Sequence, residues 1–211
     1  MVLSRIRLKN SALLVIDVIN SCCSSKCESR EPKITFKKIR KMVPELVAFI
    51  KKYKECSENP VIYINCTQWD KEHLAANISE LYKDPNCRYY SKDKTGFRNT
   101  FYKVKPDSCD IIVTKNGYDA FTNPELDRLL KKRQIRYLIV AGVFGDGCVH
   151  STIQSGFSKG YNFIILKDLI ETTDVKIRQN LQKLLKSYTW PVMFGKTISS
   201  EEFLNRSSNH S

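Results

Sequence analysis

Residues 136–166 read RYLIVAGVFGDGCVHSTIQSGFSKGYNFIIL, and this stretch decides the fold. Two short apolar runs, 136–142 and 162–166, flank a glycine-containing bend and a predicted helix at 148–157. Unbroken runs of branched apolar residues are typical of parallel strands that are buried on both faces. A strand, a helix and a second strand at this spacing therefore indicate a right-handed βαβ unit.

The same alternation extends over the rest of the chain. Further strands are predicted at 12–18, 61–67 and 110–114, with a weak sixth strand at 192–194. Apolar residues at helical spacing predict a helix over 36–50, in which Pro44 predicts a kink or a late start. The sequence therefore predicts an α/β fold, a three-layer α/β/α sandwich around a mostly parallel, roughly six-stranded sheet of Rossmann-like type.

Length and composition favour one folded domain. The chain has 211 residues, of which 42% are hydrophobic, and we expect residues 1–211 to form a single domain. The interval 68–109 lacks periodicity but is rich in aromatic and basic residues, which predicts a cover over an active site. A loop that simply packs on itself is the alternative. Residues 205–211 are expected to be a frayed tail.

Cysteine usage indicates a reducing compartment. The chain contains eight cysteines, and its basic N-terminal residues lack the apolar region of a secretory leader. No apolar run approaches the ~18 residues that would cross a bilayer. We therefore expect free thiols, a cytoplasmic location and no membrane partner.

The formal net charge of +13 does not select a partner by itself. The basic residues are densest at 26–54 and 128–136, where apolar residues at helical spacing leave the charges on an outer face. Solvated helix faces explain this pattern, so we expect a small-molecule substrate and no nucleic-acid partner.

Three chemically unusual side chains follow predicted strands. Asp17 lies near the end of the first strand, Lys115 directly follows the third, and Cys148 follows the fourth after the bend at 142–147. Ligands of open parallel sheets bind beyond the carboxyl ends of the strands. A carboxylate, an ammonium group and a thiol are therefore expected to converge at this edge.

These three groups suit nucleophilic catalysis. A thiol at the start of the predicted helix 148–157 would have a lowered pKa, and Lys115 would favour the thiolate further. Asp17 could accept the thiol proton and deliver it to a leaving amine. Backbone N–H groups of the bend and of Cys148 could bind the oxyanion of a tetrahedral intermediate.

Each residue also has an ordinary structural explanation. Cysteine is among the most commonly buried residues, Asp17 could cap a turn, and Lys115 could be a surface charge after a strand. Only the joint placement of the three favours a catalytic site.

The motifs resemble those of the isochorismatase-like cysteine hydrolases, a superfamily that includes nicotinamidases, N-carbamoylsarcosine amidases, biuret and ureidoacrylate hydrolases, and isochorismatases. LLVIDVIN resembles the first strand with its catalytic aspartate, VTKNGYDAFTNPEL the lysine motif, and LIVAGVFGDGCVHSTIQSGFSKGYNFIILKD the nucleophile segment. The similarity runs from about residue 11 to residue 204, and 68–109 aligns least.

This resemblance implies a catalytic triad of Asp17, Lys115 and Cys148 that hydrolyses an amide or related C–N bond through a thioester. It also implies a cis peptide bond between Val143 and Phe144, an oxyanion hole formed by the amides of Phe144 and Cys148, and a homo-oligomer.

Two departures from the family pattern concern the nucleophile bend and the metal site. Gly145 stands where the family often has a threonine, whose hydroxyl helps to fix the loop. Nicotinamidases carry an Asp-x-His metal motif after the second strand, whereas this chain offers only Asp70 and His73 there. Two ligands rarely hold zinc or iron, so we expect no metal and no cofactor.

The leading hypothesis is a metal-independent cysteine hydrolase that acts on a small amide, ureide or carbamoyl compound. The candidate substrate-binding residues are Asn20, Trp69, Phe97, Arg98, Tyr118 and Phe144. A positive pocket would suit a substrate that bears a carboxylate. The alternatives are vinyl-ether hydrolysis of the isochorismatase type, which uses Asp17 without the thiol, and a catalytically silent binding protein on the same fold.

Overall fold

The structure is a computed structural model that describes residues 10–30, 33–69, 72–81 and 95–207. The strands are β1 (Ser11–Ile16), β2 (Val61–Cys66), β3 (Ile111–Lys115), β4 (Tyr137–Val143), β5 (Asn162–Glu171) and β6 (Gly195–Ile198). The helices are α1 (Asn20–Cys23), α2 (Lys37–Cys56), α3 (Ala76–Leu81), α4 (Pro124–Lys132), α5 (His150–Ser158), α6 (Lys176–Leu184) and α7 (Ser200–Ser207), and a π-helical segment, Leu185–Phe194, continues α6.

The strands within these described ranges form one parallel sheet in the order β3-β2-β1-β4-β5-β6. Every residue of β1 is buried, as expected of a central strand that is covered on both faces. Because successive side chains of a strand point to opposite faces, the same strands supply two separate cores.

One core lies on each side of the sheet. Leu13 and Val15 of β1 belong to the core that α2 and α7 cover, whereas Leu14 and Ile16 belong to the core that α4 and α5 cover. This arrangement is a three-layer α/β/α sandwich. The predicted fold class is therefore confirmed.

The predicted position of the sixth strand is wrong. Residues 192–194 belong to the π-helical segment, where Val192 and Met193 are exposed, and the edge strand is β6. At Gly195 an added Cβ would lie only 2.3 Å from the carbonyl oxygen of Phe163, so the glycine lets this strand dock closely on β5. Apolar character alone did not distinguish an exposed helix from a strand here.

The prediction of a late start for the helix at Pro44 is also wrong. Helix α2 begins at Lys37 and continues through Pro44 to Cys56. Pro44 lies on the exposed side of α2, where a carbonyl that loses its intrahelical partner can turn towards solvent. Burial of the opposite, apolar face keeps the helix continuous.

None of the helices in the described ranges has both the length and the apolar character that crossing a bilayer requires.

Candidate active site

The three predicted site residues lie at the ends of three strands. Asp17 follows β1 with φ 51°, Lys115 is the last residue of β3, and Cys148 lies in the turn Gly145–Val149 after β4. We call this segment the Cys148 turn. In the sheet order, β2 lies between the strands that carry Asp17 and Lys115, so the long lysine side chain spans the gap.

Gly142 allows β1 and β4 to come together beside Asp17. Its φ is +124°, and an added Cβ would lie 2.1 Å from the carbonyl oxygen of Ile16. A side chain at this position would therefore separate the two strands directly before the residues that carry the candidate chemistry.

The Lys115 ammonium group joins the three side chains. Its Nζ lies 2.8 Å from Asp17 Oδ2 and 3.5 Å from Cys148 Sγ, and it donates a 2.8 Å hydrogen bond to the carbonyl oxygen of Gly117. Asp17 and Lys115 are fully buried, and Cys148 is 8% exposed. The ordinary interpretation of Lys115 as a surface charge is therefore wrong, because its amine is held inside the site.

Cys66, at the end of β2, is a fourth member of this cluster that the sequence analysis missed. Its Sγ donates to Asp17 Oδ1 at 3.4 Å and accepts from Lys115 Nζ at 3.1 Å. The rule that drew attention to the other strand ends applies equally to β2, so its position in the sequence was a sufficient signal.

The expectation that Cys148 rests as a thiolate is wrong. Burial and the negative charge of Asp17 raise the pKa of the Cys148 thiol well above its ordinary value, although Lys115 acts in the opposite direction. A hydrogen bond to Asp17 further favours the protonated thiol. Cys148 therefore rests as a thiol beside a carboxylate that can take its proton.

The π-helical segment Gly145–Val149 runs into α5 across a kink at Gly147, and Val149 and His150 already have right-handed helical backbone angles. Cys148 therefore lies at the start of this helical run, where the sequence analysis placed it, but this position does not outweigh its burial beside Asp17. Lys115 behaves differently. Burial alone would lower its pKa, but the Asp17 carboxylate beside it raises the pKa well above the ordinary value for lysine. The ammonium form is therefore the resting state.

Backbone hydrogen bonds fix the conformation of the Cys148 turn. The Val143–Phe144 peptide bond is cis, at the position where the family resemblance implies one. The Phe144 carbonyl oxygen accepts from the amides of Gly147 and Val149 at 3.0 and 3.1 Å. These two hydrogen bonds make a tight turn of the backbone between Phe144 and Val149, which contains the Cys148 amide.

Side chains from α6 hold the outside of the Cys148 turn. Arg178 donates two hydrogen bonds, of 2.7 and 2.8 Å, to the carboxylate of Asp146, which also accepts from the hydroxyl of Thr172. The Arg178 guanidinium group lies 4.7 Å from the ring centroid of Phe144. A bidentate ion pair and a cation–π contact thus act on the same turn.

Gln182 of α6 occupies the space that a side chain at position 145 would need. An added Cβ on Gly145 would lie 2.1 Å from Gln182 Oε1. Gln182 is buried, and its Nε2 donates to the carboxylate of Glu171. A side chain such as the family's threonine at position 145 would therefore collide with Gln182 in this structure.

The predicted substrate-binding residues fall into groups around this edge of the sheet. The rings of Trp69 and Tyr118 are 5.9 Å apart, and the ring of Phe144 stacks on Phe36 at 6.0 Å. Phe97 is partly exposed, with the Lys26 ammonium group 5.6 Å from its ring centroid.

Asn20 and Arg98 complete the set. Asn20 donates both of its amide hydrogens, to the Phe97 carbonyl oxygen at 3.1 Å and to Thr100 Oγ1 at 2.7 Å. Its side chain therefore anchors a neighbouring segment. Arg98 is half-buried in that segment.

Part of the predicted cover, 68–109, packs on the site. The backbone amide of Asn20 donates to the Thr100 carbonyl oxygen, and the backbone amide of Tyr102 donates to the Val18 carbonyl oxygen. The side-chain Nδ2 of Asn99 donates to the Cys66 carbonyl oxygen at 2.7 Å. Residues 82–94 and Asp70, which the sequence analysis also considered, lie outside the described residues.

Across the described ranges, no group of three or more His, Cys, Asp or Glu side chains has an arrangement suited to a metal ion. None of the seven cysteines in those ranges forms a disulfide bond.

Comparison with known proteins identifies the family of this chain. A family model described as the isochorismatase domain matches residues 11–202. The chain is 26% identical over 201 residues to YaaI, an isochorismatase family protein of Bacillus subtilis, covering 93% of this chain and 98% of YaaI. It is 30% identical over 121 residues to the ureidoacrylate amidohydrolase RutB of Azorhizobium caulinodans, a match that spans about half of each chain (51% and 53%).

The fold is also that of a solved cysteine hydrolase from Pseudomonas syringae pv. phaseolicola. That structure superposes with a TM-score of 0.80 at 21% identity, covering 97% of this chain and 95% of the other. At 21% identity, this superposition shows the fold alone. The family model, in contrast, matches the sequence itself over residues 11–202. The resemblance noted from the motifs is confirmed, and the chain belongs to the isochorismatase family.

Proposed function

We propose that this protein is a cysteine hydrolase that cleaves a non-peptide C–N bond of a small amide, ureide or carbamoyl compound through a thioester intermediate. The observation that carries the proposal is the position of the Lys115 ammonium group, 2.8 Å from the Asp17 carboxylate and 3.5 Å from the Cys148 sulfur. The partial similarity to a ureidoacrylate amidohydrolase supports the same class of reaction.

In the first half-reaction, Cys148 Sγ bonds to the substrate carbonyl carbon while Asp17 takes the thiol proton. The raised pKa of Cys148 fits this order, because the proton leaves only as the new bond forms. Lys115 remains protonated beside Asp17 and the sulfur, and the negative charge that leaves Asp17 arrives on the substrate's carbonyl oxygen as the C–S bond forms. When the C–N bond breaks, the nitrogen takes the proton from Asp17 and leaves as ammonia or an amine.

In the second half-reaction, water adds to the thioester carbonyl carbon and gives its proton to Asp17. The C–S bond then breaks, the acid product leaves, and the proton returns to the Cys148 sulfur. The amides of Phe144 and Cys148 are the proposed oxyanion hole in both halves, a contribution typically of about 3–4 kcal/mol for each donor.

The surroundings favour a small, flat substrate. Trp69 and Tyr118 supply one aromatic pair, and Phe97 and Phe144 add further rings near the same edge of the sheet. Because Cys148 is only 8% exposed, the proposed substrate is a compact molecule rather than a polymer. The mechanism needs a free thiol, so it fits a reducing compartment such as the cytoplasm.

The test is ammonia release from a panel of small amides, ureides and carbamoyl compounds, with and without a carboxylate. Wild type should turn over at least one class, whereas Cys148→Ala and Cys148→Ser should lose activity by at least about 10³-fold. Cys109→Ser, which changes an exposed cysteine, is the matched control and should behave as wild type.

Turnover retained by Cys148→Ala would contradict the thioester route. If the retained turnover were specific for a vinyl ether and depended on Asp17, the isochorismatase-type reaction would replace amide hydrolysis as the proposed function. Iodoacetamide separates the two routes, because alkylation of Cys148 should stop amide hydrolysis and leave an Asp17-only reaction in place.

A further inference from the structure

Two thiols contact the same ammonium group at the candidate active site. Lys115 Nζ lies 3.1 Å from Cys66 Sγ and 3.5 Å from Cys148 Sγ, so the two sulfur atoms are no farther apart than the sum of these distances. Both cysteines are buried. Hydrolysis through a thioester needs only the Cys148 sulfur as a nucleophile, so a second nucleophilic side chain lies beside the first without a bond to make in that reaction.

The two thiols also share one carboxylate. Cys66 Sγ donates to Asp17 Oδ1 at 3.4 Å, and the Cys148 thiol forms a hydrogen bond to Asp17 as well. Burial raises the pKa of both thiols, and the negative charge of Asp17 raises it further. Both sulfurs therefore rest protonated, next to a single base that can take the proton of either one.

We propose that Cys148 is a site of reversible oxidation by hydrogen peroxide and that Cys66 is its resolving cysteine, which closes a disulfide bond with it. Cysteines that are oxidised reversibly often lie next to a second thiol that traps the sulfenic acid. In a reducing compartment, such disulfides are usually transient, and many act as redox sensors. Where Cys148 is the nucleophile proposed above, the disulfide stops hydrolysis until a thiol reductant restores both cysteines.

In the first step, Cys148 Sγ attacks one oxygen atom of hydrogen peroxide, and the O–O bond breaks as the S–O bond forms. Asp17 takes the thiol proton and passes it to the departing hydroxide, which leaves as water. The sulfur is oxidised to a sulfenic acid and the peroxide is reduced. Lys115 stabilises the negative charge on the departing oxygen, and peroxide, which is little larger than water, suits a sulfur that is 8% exposed.

In the second step, Cys66 Sγ attacks the Cys148 sulfur, and the S–O bond breaks as the S–S bond forms. Asp17 takes the Cys66 proton and passes it to the departing hydroxide, which also leaves as water. The pair of thiols has then lost its hydrogen atoms to one molecule of peroxide, which has become water. The carboxylate that activates Cys148 is thus also in place to activate Cys66.

Cys22 is another thiol in this neighbourhood. Burial and the Asp17 carboxylate raise the pKa of its thiol, and its sulfur lies 3.6 Å from the hydroxyl of Ser21. The sulfur of Cys66, in contrast, contacts both Asp17 and Lys115, the two groups that also contact Cys148. These shared contacts favour Cys66 as the resolving residue and make Cys22 a control.

The experiment treats the reduced full chain with hydrogen peroxide and without substrate, and peptide mass spectrometry maps the products. In wild type, the peptides that contain Cys66 and Cys148 should become cross-linked with a loss of about 2 Da, and dithiothreitol should restore both thiols. In Cys66→Ser, Cys148 should instead gain about 32 Da as the sulfinic acid, and the fraction of Cys148 that dithiothreitol recovers should fall at least about fivefold. Cys22→Ser, which keeps the Cys66–Cys148 pair, is the matched control and should form the cross-link as wild type does.

A wild-type disulfide between Cys148 and any other cysteine would overturn the proposal, as would equal recovery of Cys148 in wild type and Cys66→Ser. A Cys148 thiol that stays reduced at a peroxide dose that oxidises the exposed Cys109 would also overturn it. Circular dichroism checks that the variants are folded, and if Cys66→Ser does not fold, Cys66→Ala replaces it under the same criteria. None of these results decides whether Cys148 hydrolyses an amide, which the ammonia-release assay tests separately.

Discussion

Adding one methyl group at Gly145 should disable the Cys148 turn. The Cβ of a Gly145→Ala variant would lie 2.1 Å from Gln182 Oε1 and 2.9 Å from Ile170 Cγ2, both inside contact distance. Gln182 would have to move away, and its hydrogen bond to the Glu171 carboxylate would be lost with that movement. The Cys148 turn would then either shift or lose its support from α6.

The structure sets the expected size of this effect. A hydrogen bond to a charged group contributes about 1.5–3 kcal/mol, and overpacking a well-filled site costs about 1–3 kcal/mol. If about 3 kcal/mol of this appears in the transition state, kcat/KM falls about 150-fold, since each 1.36 kcal/mol is a factor of ten. The Gln182→Ala change removes the obstacle, so the double variant Gly145→Ala/Gln182→Ala should recover about 5- to 30-fold over Gly145→Ala.

The assay is a double-mutant cycle of kcat, KM and thermal unfolding on the best substrate of the panel. The predicted loss should lie mainly in kcat, because the Cys148 turn carries the proposed nucleophile and oxyanion donors. Gln154→Ala, an exposed glutamine on α5, is the control and should give no recovery. A Gly145→Ala variant within about twofold of wild type, or one that Gln182→Ala leaves unimproved, would refute the packing argument.

Three further predictions concern the candidate site and its neighbour. Cys66→Ala should lower kcat/KM at least about tenfold, because it removes the hydrogen bonds of Cys66 to Asp17 and Lys115. Cys66→Ser keeps a donor and an acceptor and should stay within about threefold of wild type; steady-state kinetics compare the two variants. Asp17→Asn should have opposite effects in two assays: iodoacetamide should alkylate Cys148 faster at pH 8, since the charge that raises its thiol pKa is gone, while hydrolysis should fall at least about 100-fold. Burial lowers the pKa of His150, so the folded state holds the neutral imidazole more strongly than the unfolded state does. The resulting contribution to the free energy of unfolding is present above pH 6.5 and is lost as the pH falls through the lowered pKa. Thermal unfolding between pH 7 and 5 should show this loss in wild type and a smaller loss in His150→Gln.

The fold was predictable from local pattern because its central strands are buried on both faces. The apolar runs at β1 and β4 have no competing interpretation, and the strand-end rule then brings Asp17, Lys115 and Cys148 together before any coordinates are known. The position of edge strand β6 was harder to predict from the sequence. Val192 and Met193 are apolar but exposed, and the sequence alone does not show which apolar residues are exposed.

The electrostatics of the site were not predictable from sequence. Whether Cys148 is a thiol or a thiolate depends on its burial and on its distances from Asp17 and Lys115. Each of these is a tertiary quantity. The packing of Gln182 against the Cys148 turn was not predictable either, because Gln182 lies 37 residues after Gly145 in the chain and no motif connects the two positions.

The central claim is that Cys148 forms a covalent acyl intermediate, and rapid-quench mass spectrometry tests it most directly. Wild type mixed with the best substrate should show, before product accumulates, a mass increase equal to the acyl fragment on the peptide that contains Cys148. The same peptide from Asp17→Asn should gain little or no mass. Full turnover with no acyl mass on Cys148 at any quench time, or with the mass on another residue, would contradict the account.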